Sequence, residues 1–191
     1  CISPSVRELG IKNNIFDAQK SLVIHKGSSN GVDLSLFHPN IHDQINIKRL
    51  KATLGLEDKL VYGFIGRVVD RKGIRELLTA IDKLFIENRD IALLIVGPVE
   101  ENQLKDKRLV KDLENHSAVI MTGRKMQEEI PKYIALLDVF VLPAWWEGFG
   151  NVLIQAAAMG VPVISTYGTG SRDAVSEGYN GLLVPIKDEI A

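Results

Sequence analysis

The stretch 138–166, DVFVLPAWWEGFGNVLIQAAAMGVPVIST, decides the fold. It opens with an apolar run (138–144), passes through a polar, glycine-rich turn, and continues as a helix of small apolar residues (151–160). A second apolar run (161–168) follows. Two apolar runs joined by a helix form a parallel βαβ unit. Ala156, Ala157 and Ala158 let that helix sit close against the sheet. The turn carries Glu147 directly before Gly148-Phe149-Gly150. A carboxylate there is poorly placed for packing and well placed to hold a polar partner.

The same pattern extends outward in both directions. Upstream, LVYGFIG (60–66), IALLIVG (91–97) and AVIMTG (118–123) read as strands. IRELLTAIDKLFIE (74–87), ENQLKDKRLVKDLENH (101–116) and EEIPKYIALL (128–137) read as the helices between them. Leu77, Leu78, Ile81, Leu84 and Phe85 share one stripe of the first helix. Downstream, a short helical turn, SRDAV (171–175), leads to GLLVP (181–185). Strands apolar along their whole length, alternating with amphipathic helices, predict an α/β fold: a Rossmann-like parallel sheet with helices on both faces. Nearer the start, SLVIHKG (21–27) is expected to be a strand and GSSNGVDLSLFHPN (27–40) an ordered loop. DQINIKRLKATLGL is expected to be a helix ending at Gly55. Residues 1–20 are read as a hinge or the edge of a neighbouring N-terminal domain, and 21–191 as one domain clipped at its C-terminus. The absence of an initiator Met and the helical start in PIKDEIA prompt this reading of a piece of a longer protein.

Composition narrows the function classes. Of 191 residues, 46% are hydrophobic and 25% charged, which predicts a packed core. The net charge of −1 argues against a nucleic-acid or anionic-membrane surface. No run is long enough to span a membrane. Cys1 is the only cysteine, which rules out an internal disulfide and fits a reducing cytoplasm.

In an open parallel sheet, ligands bind beyond the carboxyl ends of the strands. Three loops there are unusually polar. GRVVDRKG (66–73) carries Arg67, Arg71 and Lys72, GRK (123–125) carries Arg124 and Lys125, and EGFG (147–150) opens a helix. One such loop alone is best read as solvated; three on one edge point to a ligand. A helix starting at Gly150-Asn151-Val152 presents unpaired N–H groups, and Gly148 and Gly150 allow close approach. Arg67 and Lys72 add fixed positive charge. Together these make a diphosphate site, and without an Asp-x-Asp pair no metal is expected. Glu147 would repel phosphate, so it must face hydroxyls. A phosphorylated sugar supplies both partners.

FIGRVVDRKG, DVFVLPAWWEGFGNVLIQAAAMGVPVIST, EGYNGLLVP and NGVDLSLFHP resemble, in order and spacing over residues 22–186, the nucleotide-sugar domain of retaining GT-B glycosyltransferases, family four. The resemblance implies two Rossmann-like domains, this chain being the C-terminal, donor-binding one. It implies Arg67 and Lys72 on the donor diphosphate and Glu147 on the donor sugar, as catalytic groups. Gly66, Gly148, Phe149 and the amides of Gly150, Asn151 and Val152 would line the donor, and Arg124 and Lys125 the nucleobase. The family's second glutamate, on the ribose, is here Gln155, which offers one acceptor and one donor instead of a charged pair. The implied donor is a UDP- or GDP-linked sugar, used without cofactor or metal. The implied acceptor is a glycan or lipid-linked hydroxyl, bound through the N-terminal domain. The implied location is cytoplasmic, with peripheral attachment to the inner membrane open to the full-length protein.

Two other readings are weighed. A non-catalytic sugar-nucleotide-binding module shares every feature of the site. An NAD-dependent oxidoreductase is suggested by VISTYGTGSRDAV, but Asp173 replaces the third glycine and the helix after it is too short. No G-x-x-x-x-G-K-[ST] of a P-loop occurs. Trp145 and Trp146 are expected to be core or interface aromatics. His25, His38, His42 and His116 are read as surface or loop residues.

Overall fold

A computed structural model describes residues 1–28, 30–40 and 43–188. The readings of His42 and of the helix at the end of PIKDEIA fall outside the described residues. Among those described, β1 (Leu60–Ile65), β2 (Ile91–Val96), β3 (Val119–Met121), β4 (Val139–Leu142), β5 (Val163–Thr166) and β6 (Gly181–Val184) form one sheet. All pairings are parallel, in the order β3-β2-β1-β4-β5-β6. The helices are α1 (Pro4–Lys12), α2 (Gln44–Thr53), α3 (Ile74–Glu87), α4 (Arg108–Asn115), α5 (Ile130–Ile134) and α6 (Asn151–Ala158).

This is the Rossmann-like parallel sheet expected from the sequence. Crossovers, right-handed as parallel βαβ units require, run outward from β1 to β2 and β3, then outward the other way from β4 to β5 and β6. Helices therefore cover opposite faces of the two halves. Every residue of β2 is buried, as a strand covered on both faces must be. Phe64, Leu93, Ile95 and Phe140 are among the largest fully buried side chains. The winding reverses between β1 and β4. In such a sheet the ligand crevice is expected there, beyond the carboxyl ends of the strands.

Local chemistry explains the boundaries. α2 ends in a Schellman motif: Gly55 is left-handed (φ 64), Leu56 N–H donates to Lys51 C=O at 3.0 Å, and Gly55 N–H donates to Ala52 C=O at 3.0 Å. Leu56 is fully buried beneath it. The charged helix expected over 101–116 is split. A 3-10 turn (Glu101–Gln103) precedes α4, and between them Leu104 is buried while Lys105 N–H donates to Asp70 Oδ2 at 2.8 Å. Asp106, two residues ahead of α4's first residue, accepts from Arg108 N–H at 3.0 Å. The helix expected over 128–137 likewise begins as a 3-10 turn (Gln127–Glu129), and α5 stops at Ile134.

SLVIHKG is not a strand. Residues 21–24 have no sheet partner, Leu22 and Ile24 are exposed, and His25 is left-handed (φ 51). Alternating apolar residues become a strand only where a neighbour completes the ladder. Within the region read as a hinge, α1 docks on the 3-10 turn Ser171–Ala174. Gly170 N–H donates to Ser5 Oγ at 2.7 Å, Ser5 N–H donates to Asp173 Oδ2 at 3.0 Å, and Arg172 pairs with Glu8 at 2.7 Å. That four-residue turn is all the helix the β5–β6 connection contains. Asp173 serves as an anchor for α1, which removes the dinucleotide-binding reading of this glycine pair.

Candidate functional site

Lys72 and Glu147 are 75 residues apart in sequence and meet in the β1–β4 crevice. The loops that carry them are locked together. Trp145 N–H donates to Arg71 C=O at 2.8 Å. A Cβ placed on Gly73 (φ 70) would lie 2.1 Å from the Pro143 carbonyl oxygen, so only glycine lets the two backbones approach this closely. On its other side, Glu147 N–H donates to Thr169 C=O at 2.8 Å. With its backbone fixed between two loops, Glu147 presents Oε1 to Lys72 Nζ in a hydrogen-bonded ion pair, and Arg71 Nη1 lies 3.7 Å from the same oxygen. The Lys72 and Glu147 side chains are only 12% and 13% exposed, so water screens the pair weakly.

Next to this pair α6 begins. Its N-cap, Gly150 (φ 80), supplies no side-chain cap. The first amides of α6 lack intrahelical acceptors and carry the positive end of the helix dipole. Asn151 Oδ1 accepts from Ser28 Oγ at 3.1 Å, which ties the 27–40 loop to this helix end. Gly148 is exposed, whereas Phe149 is buried against Gly27, so only its backbone is available to a ligand. Gln155 is half-buried one turn into α6, on the face shared with Asn151.

A second compartment adjoins the first. Gly66, Arg67, Arg124 and Lys125 line one cavity of about 380 Å³ together with Ile65, Val96, Gly97, Pro98, Glu100 and Ile130. Its floor is bare backbone. A Cβ on Gly97 (φ 147) would lie 1.9 Å from the Gly66 carbonyl oxygen. Gly66 joins the compartments, since a Cβ there would lie 3.9 Å from Lys72 Nζ. The sequence groups Arg67 with Lys72, but the structure separates their partners. Arg67 Nη1 pairs with Glu100 Oε2 at 2.9 Å. Arg124 is exposed, and Lys125 Nζ lies 5.4 Å from the Tyr133 ring centroid.

Sequence reasoning passed over several residues here. Glu100, Gly97 and Ser28 gave no signal of their own. Trp146 is not a core residue: it is 54% exposed, with the Arg71 guanidinium stacked 4.5 Å above its ring. Trp145 is half-buried and donates from Nε1 to Glu76 Oε1 at 2.9 Å. His116 lies in the loop that follows α4, within the reading given to it, and is half-buried. Its Nε2 lies 3.0 Å from Asp82 Oδ1, and its ring meets Phe85 edge-on. Among the described residues, no cluster of three or more His, Cys, Asp or Glu side chains could hold a metal, and no helix is long and apolar enough to cross a membrane.

The structure defines a Rossmann-like domain with the Lys72–Glu147 pair and the start of α6 gathered near its topological switch point. The model of the family described as glycosyl transferases group 1 matches residues 46–191, and the chain belongs to that family. It is 34% identical over 184 residues to the capsular polysaccharide biosynthesis glycosyltransferase CapM of Staphylococcus aureus, covering 96% of this chain and 47% of CapM. It is also 34% identical over 163 residues to a GDP-mannose-dependent phosphatidylinositol monomannoside mannosyltransferase of Mycolicibacterium smegmatis, covering 81% of this chain and 41% of the relative. Among solved structures, Anabaena HepE in complex with UDP and glucose superposes with a TM-score of 0.85 at 23% identity, covering 99% of this chain and 49% of HepE. That match shows the fold to be that of a GT-B glycosyltransferase. The chain spans about half the length of these relatives.

Proposed function

We propose that this chain is the donor-binding domain of a retaining glycosyltransferase that moves a sugar from a nucleoside diphosphate to an acceptor hydroxyl. The observation that carries the reading is the Lys72–Glu147 pair beside the uncapped start of α6. It places a cation, a row of free amides and a carboxylate within one crevice. The amides of Gly150, Asn151 and Val152, with Lys72 and Arg67, would hold the diphosphate and stabilise the charge that develops on it as the glycosidic bond breaks. Glu147 would accept from sugar hydroxyls, and Gln155 would meet the ribose. The compartment lined by Arg124 and Lys125 would take the base. Positive charge from side chains and helix end makes a metal unnecessary in this scheme.

HepE is described with UDP and glucose, and the mycobacterial relative as GDP-mannose-dependent, so UDP- and GDP-sugars are the donors to test. The acceptor would be a glycan or lipid-linked hydroxyl held by a partner domain, in polysaccharide synthesis at the cytoplasmic side of a membrane. Calorimetry with UDP, GDP, uridine and guanosine tests the site. Diphosphates should bind at least about tenfold tighter than nucleosides, because charge-assisted hydrogen bonds supply the difference. Equal affinities would refute a diphosphate site. Retention is read by NMR from the anomeric configuration of the product made by the full-length enzyme. Transfer to water or acceptor separates an enzyme from a binding module.

A further inference from the structure

Resting on the donor-site reading above, we propose that Arg71 is a positioning residue for sugar recognition, holding Glu147 aimed when the diphosphate engages Lys72. Lys72 and Arg71 both approach Oε1 of Glu147, Arg71 at 3.7 Å. That leaves Oε2 as the acceptor for sugar hydroxyls. A diphosphate draws Lys72 toward itself, and a carboxylate left without any cation in a poorly hydrated site would swing away. Arg71 prevents this.

Its own placement is fixed from three directions. The guanidinium lies 4.5 Å over the Trp146 ring, Nη1 reaches the Trp146 carbonyl oxygen at 3.5 Å, and the Arg71 carbonyl accepts Trp145 N–H at 2.8 Å. A planar, permanently charged group stacked on an aromatic face is well suited to this task, since it cannot lose its proton and has little freedom to wander. This also gives the exposed Trp146 a function: it is the platform that keeps Arg71 beside Glu147.

The test compares the sugar advantage, meaning how much more tightly UDP-glucose binds than UDP and GDP-mannose than GDP, by calorimetry. With the donor that the wild type prefers, the advantage should be about tenfold. Arg71→Gln should cut it to within about threefold while leaving affinity for the bare diphosphate within about twofold. Trp146→Leu, which touches no core residue, should cut it in the same direction. In a Glu147→Gln background, Arg71→Gln should change the advantage by less than about twofold, because the residue through which it acts is gone. A merely structural Arg71 would lower bare diphosphate affinity as well, and would do so in both backgrounds. That result overturns the inference, as does an advantage unchanged in both single variants. Wild type that binds diphosphates without any sugar advantage refutes the sugar role of Glu147 and this inference with it. Wild type that binds no nucleoside diphosphate refutes the donor site itself.

Discussion

Removing Lys72 should separate what the Lys72–Glu147 pair does for the fold from what it does for the ligand. Lys72→Ala strands a carboxylate that is 13% exposed, with Arg71 at 3.7 Å as its remaining cation. Breaking a fully buried pair costs about 3–5 kcal/mol. Here some solvent contact and a second cation survive, so the expected loss of stability is about 1–2 kcal/mol. Affinity for UDP or GDP should fall further, by about 1.5–3 kcal/mol, or about ten- to a hundredfold, since a charge-assisted hydrogen bond to phosphate is lost. Uridine and guanosine should bind as before. Adding Glu147→Gln removes the stranded charge, and the double variant should regain most of the stability and little of the affinity. Glu147→Gln alone, which releases Lys72 from a competing anion, should hold bare diphosphates at least as tightly as wild type. Urea unfolding and calorimetry on the same preparations provide both readouts. If nucleoside and diphosphate affinities fall together and the double variant restores both, the pair is a packing device and the diphosphate lies elsewhere.

Arg67→Ala should weaken nucleoside diphosphates about tenfold by calorimetry, with nucleosides unaffected. EDTA should leave nucleotide binding unchanged, and a requirement for Mg or Mn would contradict the role given to Arg67 and Lys72. Gln155→Glu should tighten UDP or GDP by about 1 kcal/mol and Gln155→Ala should weaken them, whereas 2′,3′-dideoxy analogues should not distinguish wild type from the alanine variant. Asp106 has its carboxyl held down at about 2 by hydrogen bonds from the Arg108 side chain and backbone, with Arg108 and Arg75 charges adding to them. A depressed carboxyl stabilises the fold above its unfolded value and loses that contribution as pH falls through its folded one. Asp106→Asn should therefore lower the urea midpoint at neutral pH. The gap should close as pH falls from about 4 to about 2, and a gap undiminished at the acid end would refute this assignment.

The sheet was legible because its strands are buried on both faces, so burial alone dictates an apolar run at each of β1, β2, β4 and β5. Glycine and small residues then mark where the chain must turn or approach closely. The same local logic singled out Lys72 and Glu147, which the structure brings together as an ion pair. What the sequence could not supply was which charge answers which. Arg67 and Lys72 lie five positions apart and look equivalent, yet the chain between them bends through a 3-10 turn at Asp70–Lys72 and they meet different carboxylates. Arg67 then meets Glu100, whose loop continues the β1–β2 ladder through Val68 N–H to Pro98 C=O at 2.9 Å and Glu100 N–H to Val68 C=O at 3.2 Å. No pattern along one strand encodes a partner contributed by the next. SLVIHKG failed for the related reason that a strand is a property of two segments, and the residues 21–24 have none to pair with. Pairings across loops are where three-dimensional geometry adds information. In this domain they put a carboxylate against each of the two cations assigned to the diphosphate. On the proposed reading a donor would have to compete for both, and the ion pairs would then be part of its recognition.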